Sequence, residues 1–407
     1  MIGIDIFEVK RVEKLLKRKN FLNRFFSESE IKYIYSKKFS HNTIAGLISA
    51  KEAVLKALGI GISTEISLRD VEILHDKGVP FVNIKNNSMS RLMKNRDIGS
   101  FDLSISHDGG YAISVCETRE GIFVTDEMFK EFLPLRRIDF HKGDYGKVLI
   151  IGGSFGLTGS ILMSSMAALR CGTGLVYVLP PSIFADSVQS RTYEQIVLSV
   201  DDDGEKFFGN FSEKKLLNHL KNMDSVAIGM GMGTGENSFR MLETVIENFE
   251  GPIVIDADGI NCLVEKIEIL KNRKNIYLTP HEMEFSRISG CDLEYIKNNR
   301  EETAKNFVKK FGVNLVLKGN KTIVVNRDEM YVNNSGDDSL ATAGAGDVLS
   351  GMLASFLAKK PNLNSAKLAV YIHGVSGEIS GKKIGKDSVI ARDIIENISE
   401  AIKILRK

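Results

Sequence analysis

Hydrophobic and polar residues follow two different patterns along the chain. Up to residue 118, short apolar runs and amphipathic segments succeed one another in irregular order, and this order predicts an α+β domain. The predicted strands are 1–6, 71–74, 80–84, 102–106 and 111–116, and the predicted helices are 9–17, 28–36 and 44–58. Ser27 and Glu30 have the spacing of a capping box at the start of the second helix.

From residue 134 onward, uninterrupted apolar runs alternate with helical segments such as 161–170. The runs are 147–151, 175–179, 225–228, 252–255, 276–278, 314–317 and 321–325. This alternation predicts an α/β domain with a mainly parallel sheet covered by helices on both faces. We therefore divide the chain into domain 1–118, linker 119–133 and domain 134–407. Ligands of such sheets bind at the carboxyl ends of the strands.

The composition excludes several classes of protein. The 407 residues are 43% hydrophobic and carry a formal net charge of +2, so we expect two or three folded domains with no affinity for nucleic acid or membranes. The four cysteines lie far apart, which argues against a zinc site or a disulfide framework. We see no signal sequence and no apolar run near the ~20 residues of a membrane span, and therefore expect a soluble, cytoplasmic protein.

The most informative stretch for chemistry is the glycine-rich run 341–347, which precedes an apolar segment that predicts a helix. Unpaired backbone N–H groups and the helix dipole would form an anion hole at this helix start. Asp347 lies directly behind that hole, in position to take a proton from a hydroxyl group that attacks phosphate. The alternative interpretation is an ordinary helix start with an acidic residue in its first turn.

Four more turns follow predicted strand ends and should gather at the same rim. The backbone of the glycine loop 229–233 could approach a phosphate or a flat ring closely. The alternative interpretation is a plain strand-to-helix turn. His281 begins a predicted helix and would lie at the mouth of the site. The loop 318–322 offers cationic and hydroxyl donors to a nucleotide phosphate, or is a hairpin turn. Asp256 and Asp258 have the character of metal ligands, although helix capping by Asp258 is the interpretation that we favour.

From His141 to the C-terminus, these motifs together resemble the ribokinase-like family of ADP-dependent NAD(P)H-hydrate dehydratases. The matching runs are His141-Lys142-Gly143-x-x-Gly146, Gly159-Ser160, Ala167-Ala168-Leu169-Arg170-x-Gly172-x-Gly174, Gly229-x-Gly231-x-Gly233, Asp256-Ala257-Asp258, Leu278-Thr279-Pro280-His281-x-x-Glu284, Leu317-Lys318-Gly319-x-x-Thr322, Gly336-x-x-x-x-Ala341-Thr342-x-Gly344-x-Gly346-Asp347 and His373-Gly374. Their order and spacing carry the resemblance. This chain has Glu282 and Met283 where the family usually has Pro and Gly.

The resemblance implies repair of hydrated NADH and NADPH, with ADP as the phosphoryl donor and AMP and phosphate as products. Asp347 would be the base that activates the ring hydroxyl for phosphorylation. The implied residues at the hydrate and the nucleotide are Ser160, Gly231, Gly233, His281, Lys318, Gly319, Asn320, Lys321, Thr322, Gly346 and Asp347. One alternative is that this part of the chain is a ribokinase-like kinase of a small metabolite. Another is that one half of the chain has no catalytic activity and serves as a nucleotide-binding or oligomerisation module.

The first part of the chain contains a second set of charged candidates. Asp5 interrupts an apolar strand, and Glu52 and Lys56 share one face of a predicted helix. A surface ion pair is the plain interpretation. With Lys51, the set also fits a Mg²⁺ site that holds a diphosphate, because Mg²⁺ binds one or two carboxylates and takes its other ligands from phosphate and water. His107, at the tip of a predicted strand, is by itself interpreted as structural.

This first part resembles the holo-[acyl-carrier-protein] synthase family of phosphopantetheinyl transferases. The motifs are Gly3-Ile4-Asp5-Ile6-x-Glu8-x-x-Arg11, Phe26-Ser27-x-x-Glu30, Ala50-Lys51-Glu52-Ala53-x-x-Lys56-Ala57-Leu58-Gly59 and Ser104-Ile105-Ser106-His107. The resemblance implies transfer of 4′-phosphopantetheine from coenzyme A to a serine of apo acyl carrier protein. The whole chain would then be a bifunctional enzyme.

The same resemblance implies roles for single residues and partners. Asp5 and Glu52 would bind Mg²⁺, Lys56 would contact phosphate during catalysis, and His107 would lie near the coenzyme A phosphates. Arg11 and the basic stretch that follows it would face the acidic carrier protein, or else form a solvated helix face. The family's trimers, with sites between subunits, imply a homo-oligomer.

Overall fold

The computed structural model describes residues 1–61, 66–76, 78–86, 88–89, 92–93, 96, 98–120, 128–135 and 139–406. The chain forms two compact units, Met1–Thr125 and Asp126–Lys407. Each unit encloses a hydrophobic core of its own. Across the described ranges, every helix is too short or too polar to cross a membrane.

The N-terminal unit combines helices with antiparallel sheets, which confirms the predicted α+β class. Its described strands are β1 (Ile2–Glu8), β2 (Val71–Asp76), β3 (Val79–Ile84), β4 (Ile98–Asp108) and β5 (Tyr111–Glu120). The described helices are α1 (Lys10–Leu16), α2 (Phe21–Phe25), α3 (Glu28–Ser36) and α4 (His41–Ala57). β1, β5 and β4 form one sheet in that order, and β2 pairs with β3.

Helix α4 packs directly on β1, and a glycine makes this close approach possible. A Cβ atom on Gly3 would lie 2.1 Å from the carbonyl oxygen of Ala53, so a larger residue would push strand and helix apart. Alternate residues of a strand point to the same side. Asp5 therefore shares the face of Gly3 and is directed towards the helix that carries Glu52 and Lys56.

The C-terminal unit alternates strands and helices. Its described strands are β6 (Lys147–Ile151), β7 (Leu175–Leu179), β8 (Ile196–Val197), β9 (Ser225–Ile228), β10 (Ile253–Ile255), β11 (Ile276–Leu278), β12 (Asn314–Leu317), β13 (Ile323–Val325) and β14 (Met330–Val332). The described helices are α5 (Met128–Phe132), α6 (Thr158–Arg170), α7 (Ala185–Gln189), α8 (Glu213–Leu220), α9 (Glu236–Asn248), α10 (Asp258–Asn261), α11 (Glu282–Ser289), α12 (Leu293–Asn298), α13 (Arg300–Phe311), α14 (Ala345–Lys359), α15 (Leu363–Ile384) and α16 (Ala391–Arg406).

The nine strands form one sheet in the order β14-β13-β12-β11-β10-β9-β6-β7-β8. The pairs from β8 to β12 are parallel, and β13 and β14 continue the edge in antiparallel orientation. The predicted, mainly parallel sheet is confirmed. Two short edge strands, β8 and β14, were not predicted, because a run of two or three residues is too short to show a hydrophobic periodicity.

Helices cover both faces of this sheet. On one face, Leu149, Val226 and Ile253 pack in a common core with residues of α8, α9, α11 and α13. On the other, α14 packs on the central strands and on α6, and the Ser225 hydroxyl donates a hydrogen bond to the Ala354 carbonyl. The central strands are therefore buried on both sides, which is why they are apolar except at the first residues of β6 and β9.

The predicted linker 119–133 contains more regular structure than expected. β5 continues to Glu120, and α5 occupies Met128–Phe132. Phe129 of α5 is fully buried, and its ring stacks on that of Tyr371 with centroids 4.3 Å apart. The apolar residues near the end of the predicted linker thus belong to the core of the C-terminal unit. The functional boundaries at residues 118 and 134 stay predictions.

Candidate active sites

Asp347 lies in the first turn of α14, directly after the glycine-rich run. Gly344 adopts φ +89° at the helix N-cap, in the left-handed region that favours glycine. The predicted helix start is confirmed. The pKa of Asp347 is raised to about 6, because burial and, after it, the nearby carboxylate of Asp256 outweigh a hydrogen bond from Ser160 and the charge of Lys318, which lower it. A carboxylate with such a pKa is suited to accept a proton near neutral pH.

Beside Asp347 lies a buried ion pair between Lys318 and Asp256. The Lys318 Nζ is 2.8 Å from the Asp256 Oδ1, and the Ser350 hydroxyl donates to Oδ2 over 2.6 Å. Burial lowers the pKa of Lys318, but the attraction of Asp256, Glu284 and Asp347 outweighs it, so the net pKa is raised. The lysine therefore remains a fixed cation at the mouth of the glycine run.

Ser160 lies beside the Asp347 carboxylate, and Gly231 lies beside Ser160. The Ser160 side chain, on α6, is hydrogen-bonded to the Asp347 carboxylate. A Cβ atom on Gly231 would lie 3.3 Å from the Ser160 Oγ. Ser164, one turn further along α6, donates to the Asp347 carbonyl over 2.8 Å. α6 therefore reaches Asp347 through Ser160 and Ser164, and the glycine loop 229–233 lies against the start of α6.

Asp258 has a different role from the helix cap expected from the sequence. α10 begins at Asp258 itself, and its side chain accepts a hydrogen bond of 2.8 Å from the backbone N–H of Gly233. Ala257, the residue before it, has φ +49°, where a side chain is disfavoured. The expectation of capping is wrong because the carboxylate reaches across to the neighbouring loop and fixes it at the rim of the sheet.

His281 is the N-cap of α11 and lies at the surface of the rim. The ring Nδ1 of His281 accepts hydrogen bonds of 3.2 Å from the backbone N–H groups of Met283 and Glu284. In return, the backbone N–H of His281 donates to the Glu284 Oε2. The Nε2 atom of the ring lies 3.5 Å from the Glu284 Oε1. The backbone N–H of Lys318 donates to the Pro280 carbonyl over 2.8 Å, and this bond connects the helix start to the ion-paired lysine.

A cavity of about 560 Å³ extends from Gly346 along the loop 318–322. The loop connects the antiparallel strands β12 and β13, so it is a hairpin turn and also a wall of the cavity. Its apolar end includes Leu340, Leu349 and Val370. The five loop residues and Gly346, all predicted to hold a nucleotide, thus share one cavity next to Asp347.

His373 also lines this cavity, and its side chain is buried. Burial lowers the pKa of His373 to about 4, so the ring is neutral, and its Nε2 donates to the Ala345 carbonyl over 3.0 Å. In the sequence, His373 belongs to one of the matching motifs, but no role was assigned to it. Its observed contact is to the first residue of α14. Ser350 was missed altogether, because a serine inside an apolar helix carries no sequence signal.

In the N-terminal unit, the structure brings Asp5, Glu52 and Lys56 together. The Lys56 Nζ is 2.8 Å from the Asp5 Oδ1 and 3.1 Å from the Ile4 carbonyl. Burial raises the pKa of Glu52, and the charge of Asp5 raises it further, while Lys56 opposes both. Two carboxylates that repel each other and have one lysine between them suit a divalent cation, so the donor set fits Mg²⁺.

No group of three or more histidine, cysteine, aspartate or glutamate side chains in the described part of the chain forms a metal-binding cluster. A Mg²⁺ ion held by only two carboxylates would complete its shell with substrate phosphates and water. Such an ion would neutralise phosphate charge while the diphosphate reacts.

Lys51 does not join this site, contrary to the expectation. Its ammonium is fully buried on the other side of α4, where it pairs with Glu30 over 2.8 Å and donates to the carbonyls of Leu68 and Val71. Glu30 also completes the predicted capping box with Ser27. Neighbours in a helix point in directions about 100° apart, which is why consecutive Lys51 and Glu52 face different surroundings.

His107 and Arg11 lie further from the carboxylates. The His107 Nε2 donates to the Asn42 carbonyl over 2.8 Å, in the first turn of α4. At 1.5 Å per residue, that turn is about 15 Å along the helix axis from Glu52. The guanidinium of Arg11 lies over the ring of Phe7, 4.7 Å from its centroid. Their predicted roles towards coenzyme A and a carrier protein stay predictions.

Both units match known families. The family model described as NAD(P)H-hydrate dehydratase matches residues 148–400, and that of the 4′-phosphopantetheinyl transferase superfamily matches residues 1–116. The ADP-dependent (S)-NAD(P)H-hydrate dehydratase of Nitrosopumilus maritimus is 34% identical over 69% of this chain and is covered over 96% of its own length.

The bifunctional NAD(P)H-hydrate repair enzyme of Dictyoglomus turgidum is 34% identical over 68% of this chain, which spans only 54% of that relative's length. Among solved structures, the ADP/ATP-dependent NAD(P)H-hydrate dehydratase of Bacillus subtilis, co-crystallised with ATP and Mg²⁺, is similar with a TM-score of 0.58 and 25% identity. The similarity covers 70% of this chain and 98% of that chain.

Proposed function

We propose, because the chain belongs to the NAD(P)H-hydrate dehydratase family, that its C-terminal unit dehydrates (6S)-NAD(P)H hydrate with ADP and releases AMP and phosphate. The observation that carries the proposal is the position of Asp347: a half-buried carboxylate with a pKa of about 6, at a helix N-terminus that opens onto a cavity. The N-terminal unit contributes a domain of the 4′-phosphopantetheinyl transferase superfamily.

In the proposed reaction, the Asp347 carboxylate takes the proton of the ring hydroxyl as that oxygen attacks the β-phosphorus of ADP. The new O–P bond forms while the bond to the AMP oxygen breaks. Phosphate then leaves with the former hydroxyl oxygen, and loss of a ring proton restores the double bond. The preorganised N–H groups of α14 and the cation of Lys318 stabilise the negative charge on the transferring group. Ser160 orients the base through its hydrogen bond.

We assign the nucleotide to the cavity walled by 318–322 and Gly346, and the hydrate to Asp347, Ser160, Gly231 and His281. Supporting this division, the apolar end of the cavity suits a base, whereas its lysines suit phosphates. Gly233 holds the adjoining loop in place through Asp258.

The test is to incubate the purified full chain with hydrated NADH and either ADP or ATP and to follow the recovery of NADH absorbance. Recovery with ADP that disappears in Asp347→Asn is the expected result. Asp328→Asn, at an exposed hairpin turn, is the matched control and should retain full activity. ATP-dependent phosphorylation of an alcohol without recovery of NADH would instead establish the small-metabolite kinase.

For the N-terminal unit, we propose Mg²⁺-dependent transfer of 4′-phosphopantetheine from coenzyme A to a serine of apo acyl carrier protein. The support is the cluster of Asp5, Glu52 and Lys56, which combines two carboxylates for the metal with a cation for phosphate. When bound, Mg²⁺ would neutralise the diphosphate. Lys56 would hold phosphate oxygens, and Glu52 would serve both as a ligand and in catalysis.

Mass spectrometry of apo acyl carrier protein, after incubation with the full chain, coenzyme A and Mg²⁺, tests this second activity. We expect addition of one phosphopantetheine group, lost on chelation of the metal and in Glu52→Gln. Glu28→Gln, at an exposed position on α3, is the matched control. An unmodified carrier protein with the wild-type chain would leave this unit without the proposed activity.

We also propose that the N-terminal units associate with each other. Ile4 and Ile6 on β1, with Val115 and Ile113 opposite them on β5, form an exposed apolar row on the outer face of the sheet. Light scattering of the full chain should give an oligomer, and Ile4→Asp should dissociate it. A monomeric wild-type chain would contradict this part of the proposal.

A further inference from the structure

Arg300, the first residue of α13, holds the loop 318–322 by its backbone. Its Nη2 donates to the carbonyls of Leu317 and Lys318 over 3.3 and 3.2 Å, and its Nη1 donates to those of Asn320 and Lys321. One planar guanidinium therefore contacts four carbonyl groups in one hairpin turn, which a lysine ammonium could not match in geometry.

The same guanidinium faces Glu282 on its other side. The Arg300 Nε is 3.1 Å from the Glu282 Oε1, and only 16% of the Arg300 side chain is exposed. Glu282 directly follows His281 and is the first residue of α11. Gly319 lies against both side chains: a Cβ atom there would be 2.7 Å from the Arg300 Nη2 and 3.3 Å from the Glu282 Oε1. Arg300 thus joins the His281 helix to the loop.

These contacts orient the loop relative to the cavity. The described peptide bonds are trans, so the carbonyl of one residue and the N–H of the next point in opposite directions. With the carbonyls of Lys318, Asn320 and Lys321 turned towards Arg300, the N–H groups of the residues that follow them are turned away from it. The loop lines the cavity while Arg300 lies behind it. The N–H groups are therefore directed to the side where an anion would bind.

We propose that Arg300 is a positioning residue that presents the backbone N–H groups of Gly319, Lys321 and Thr322 to the phosphates of a nucleoside diphosphate. Through Glu282 it also ties this loop to the helix start that carries His281, so that the nucleotide and hydrate sides are held in register. This inference rests on the proposed dehydratase function. Glu282 stands where the family usually has proline, so here an ion pair restrains the helix start.

The test measures ADP affinity of the full chain by calorimetry, without hydrate and without turnover. Arg300→Ala should weaken ADP binding about 10-fold to 100-fold, the range expected for loss of hydrogen bonds from a charged group. Arg287→Ala is the matched control, because Arg287 is exposed on the same rim and donates only to the Asn261 side chain among its described hydrogen bonds. It should bind ADP like the wild-type chain.

Kinetics separate positioning from a purely structural effect. In Arg300→Ala, the KM for ADP should rise while kcat at saturating ADP stays within a few-fold, and Arg300→Lys should recover part of the affinity. Glu282→Gln should weaken ADP binding less than Arg300→Ala does, and should raise the KM for hydrate, because the link to His281 is loosened.

The outcomes distinguish the two levels of the proposal. A wild-type chain that binds no ADP would overturn the proposed function. A wild-type chain that restores NADH with ADP, together with an Arg300→Ala variant of unchanged ADP affinity, would overturn only the role of Arg300. If Arg300→Ala does not fold, Arg300→Lys decides in its place: a folded variant with wild-type ADP affinity contradicts the role of the guanidinium.

Discussion

The two candidate sites contain the same kinds of charge in different surroundings. In each, a lysine pairs with one carboxylate, Asp256 or Asp5, and a second carboxylate nearby has a pKa raised by burial and by its neighbour. In the C-terminal site the lysine and aspartate side chains are 19% and 2% exposed, whereas in the N-terminal site they are 51% and 14% exposed. The two sites therefore have the same arrangement of charges but differ in how far their ion pairs are exposed to solvent.

This difference indicates how each site works. The buried C-terminal pair is fixed before substrate arrives, so it can act on a developing charge without reorganisation. The exposed N-terminal lysine can leave its aspartate when a metal ion and a diphosphate take its place, since surface ion pairs contribute little. We therefore expect the C-terminal cluster to be rigid and costly to alter, and the N-terminal cluster to be adaptable.

The largest expected effect is on turnover at the C-terminal site. Asp347→Asn removes the base while preserving size, so NADH recovery should fall about 10²-fold to 10⁴-fold. The binding of ADP, measured by calorimetry, should persist, because the nucleotide is assigned to the loop 318–322. A variant as active as the wild-type chain would show that another group accepts the proton.

Removal of the buried lysine should affect stability. Lys318→Met leaves the Asp256 carboxylate buried without its cation, and we expect a loss of about 3–5 kcal/mol in the free energy of unfolding of the C-terminal unit. Urea unfolding measures this loss. Adding Asp256→Asn to the same variant should recover part of it. An unchanged unfolding midpoint in Lys318→Met would mean that the pair is better solvated than its burial indicates.

The pH dependence tests the raised pKa of Asp347. A base must be deprotonated, so kcat/KM for the hydrate should be level well above pH 6 and fall about tenfold per pH unit well below it, since the pKa is about 6. Asp256→Asn removes a negative charge that raises this pKa, and should move the fall to lower pH. Initial rates between about pH 5 and pH 8 show both effects. A fall at the same pH in both proteins would exclude coupling to Asp256.

The smallest effect is expected at the exposed pair. Lys56→Gln should change the free energy of unfolding of the N-terminal unit by no more than about 1 kcal/mol, because the ion pair is largely solvated. The same urea experiment as for Lys318→Met makes the contrast direct. A loss as large as that of Lys318→Met would show that the two clusters are equally buried in solution and would remove the contrast between the sites.

Much of the fold was predictable from the chain because periodicity reports burial. The bounds of β6, β7, β9, β11 and β12 agree with those predicted, since strands buried on both faces are continuous apolar runs. β8 was missed because it has two residues and gains its order from pairing with β7. α5 was taken for linker because its burial depends on packing against α15, which lies far along the chain.

The sites were predictable in their types of residue but only partly in their contacts. Asp347, Asp5 and Glu52 were recognised because carboxylates interrupt patterns that are otherwise glycine-rich or apolar. The direction of Asp258, the burial of Lys51 and the reach of Arg300 across a hairpin were not recognised. Each depends on which element lies opposite the side chain, and that neighbour comes from a distant part of the chain.

The sequence alone determined the two fold classes, the order of the main elements and the residue types that can carry the chemistry. These depend on local spacing, which sets which side of a helix or strand is apolar. Only the tertiary structure decided which carboxylate pairs with a lysine, which carboxylate has a raised pKa, and which arginine contacts the loop 318–322. Those outcomes depend on burial and on distances of about 3 Å between atoms of remote segments, and no local pattern encodes such distances.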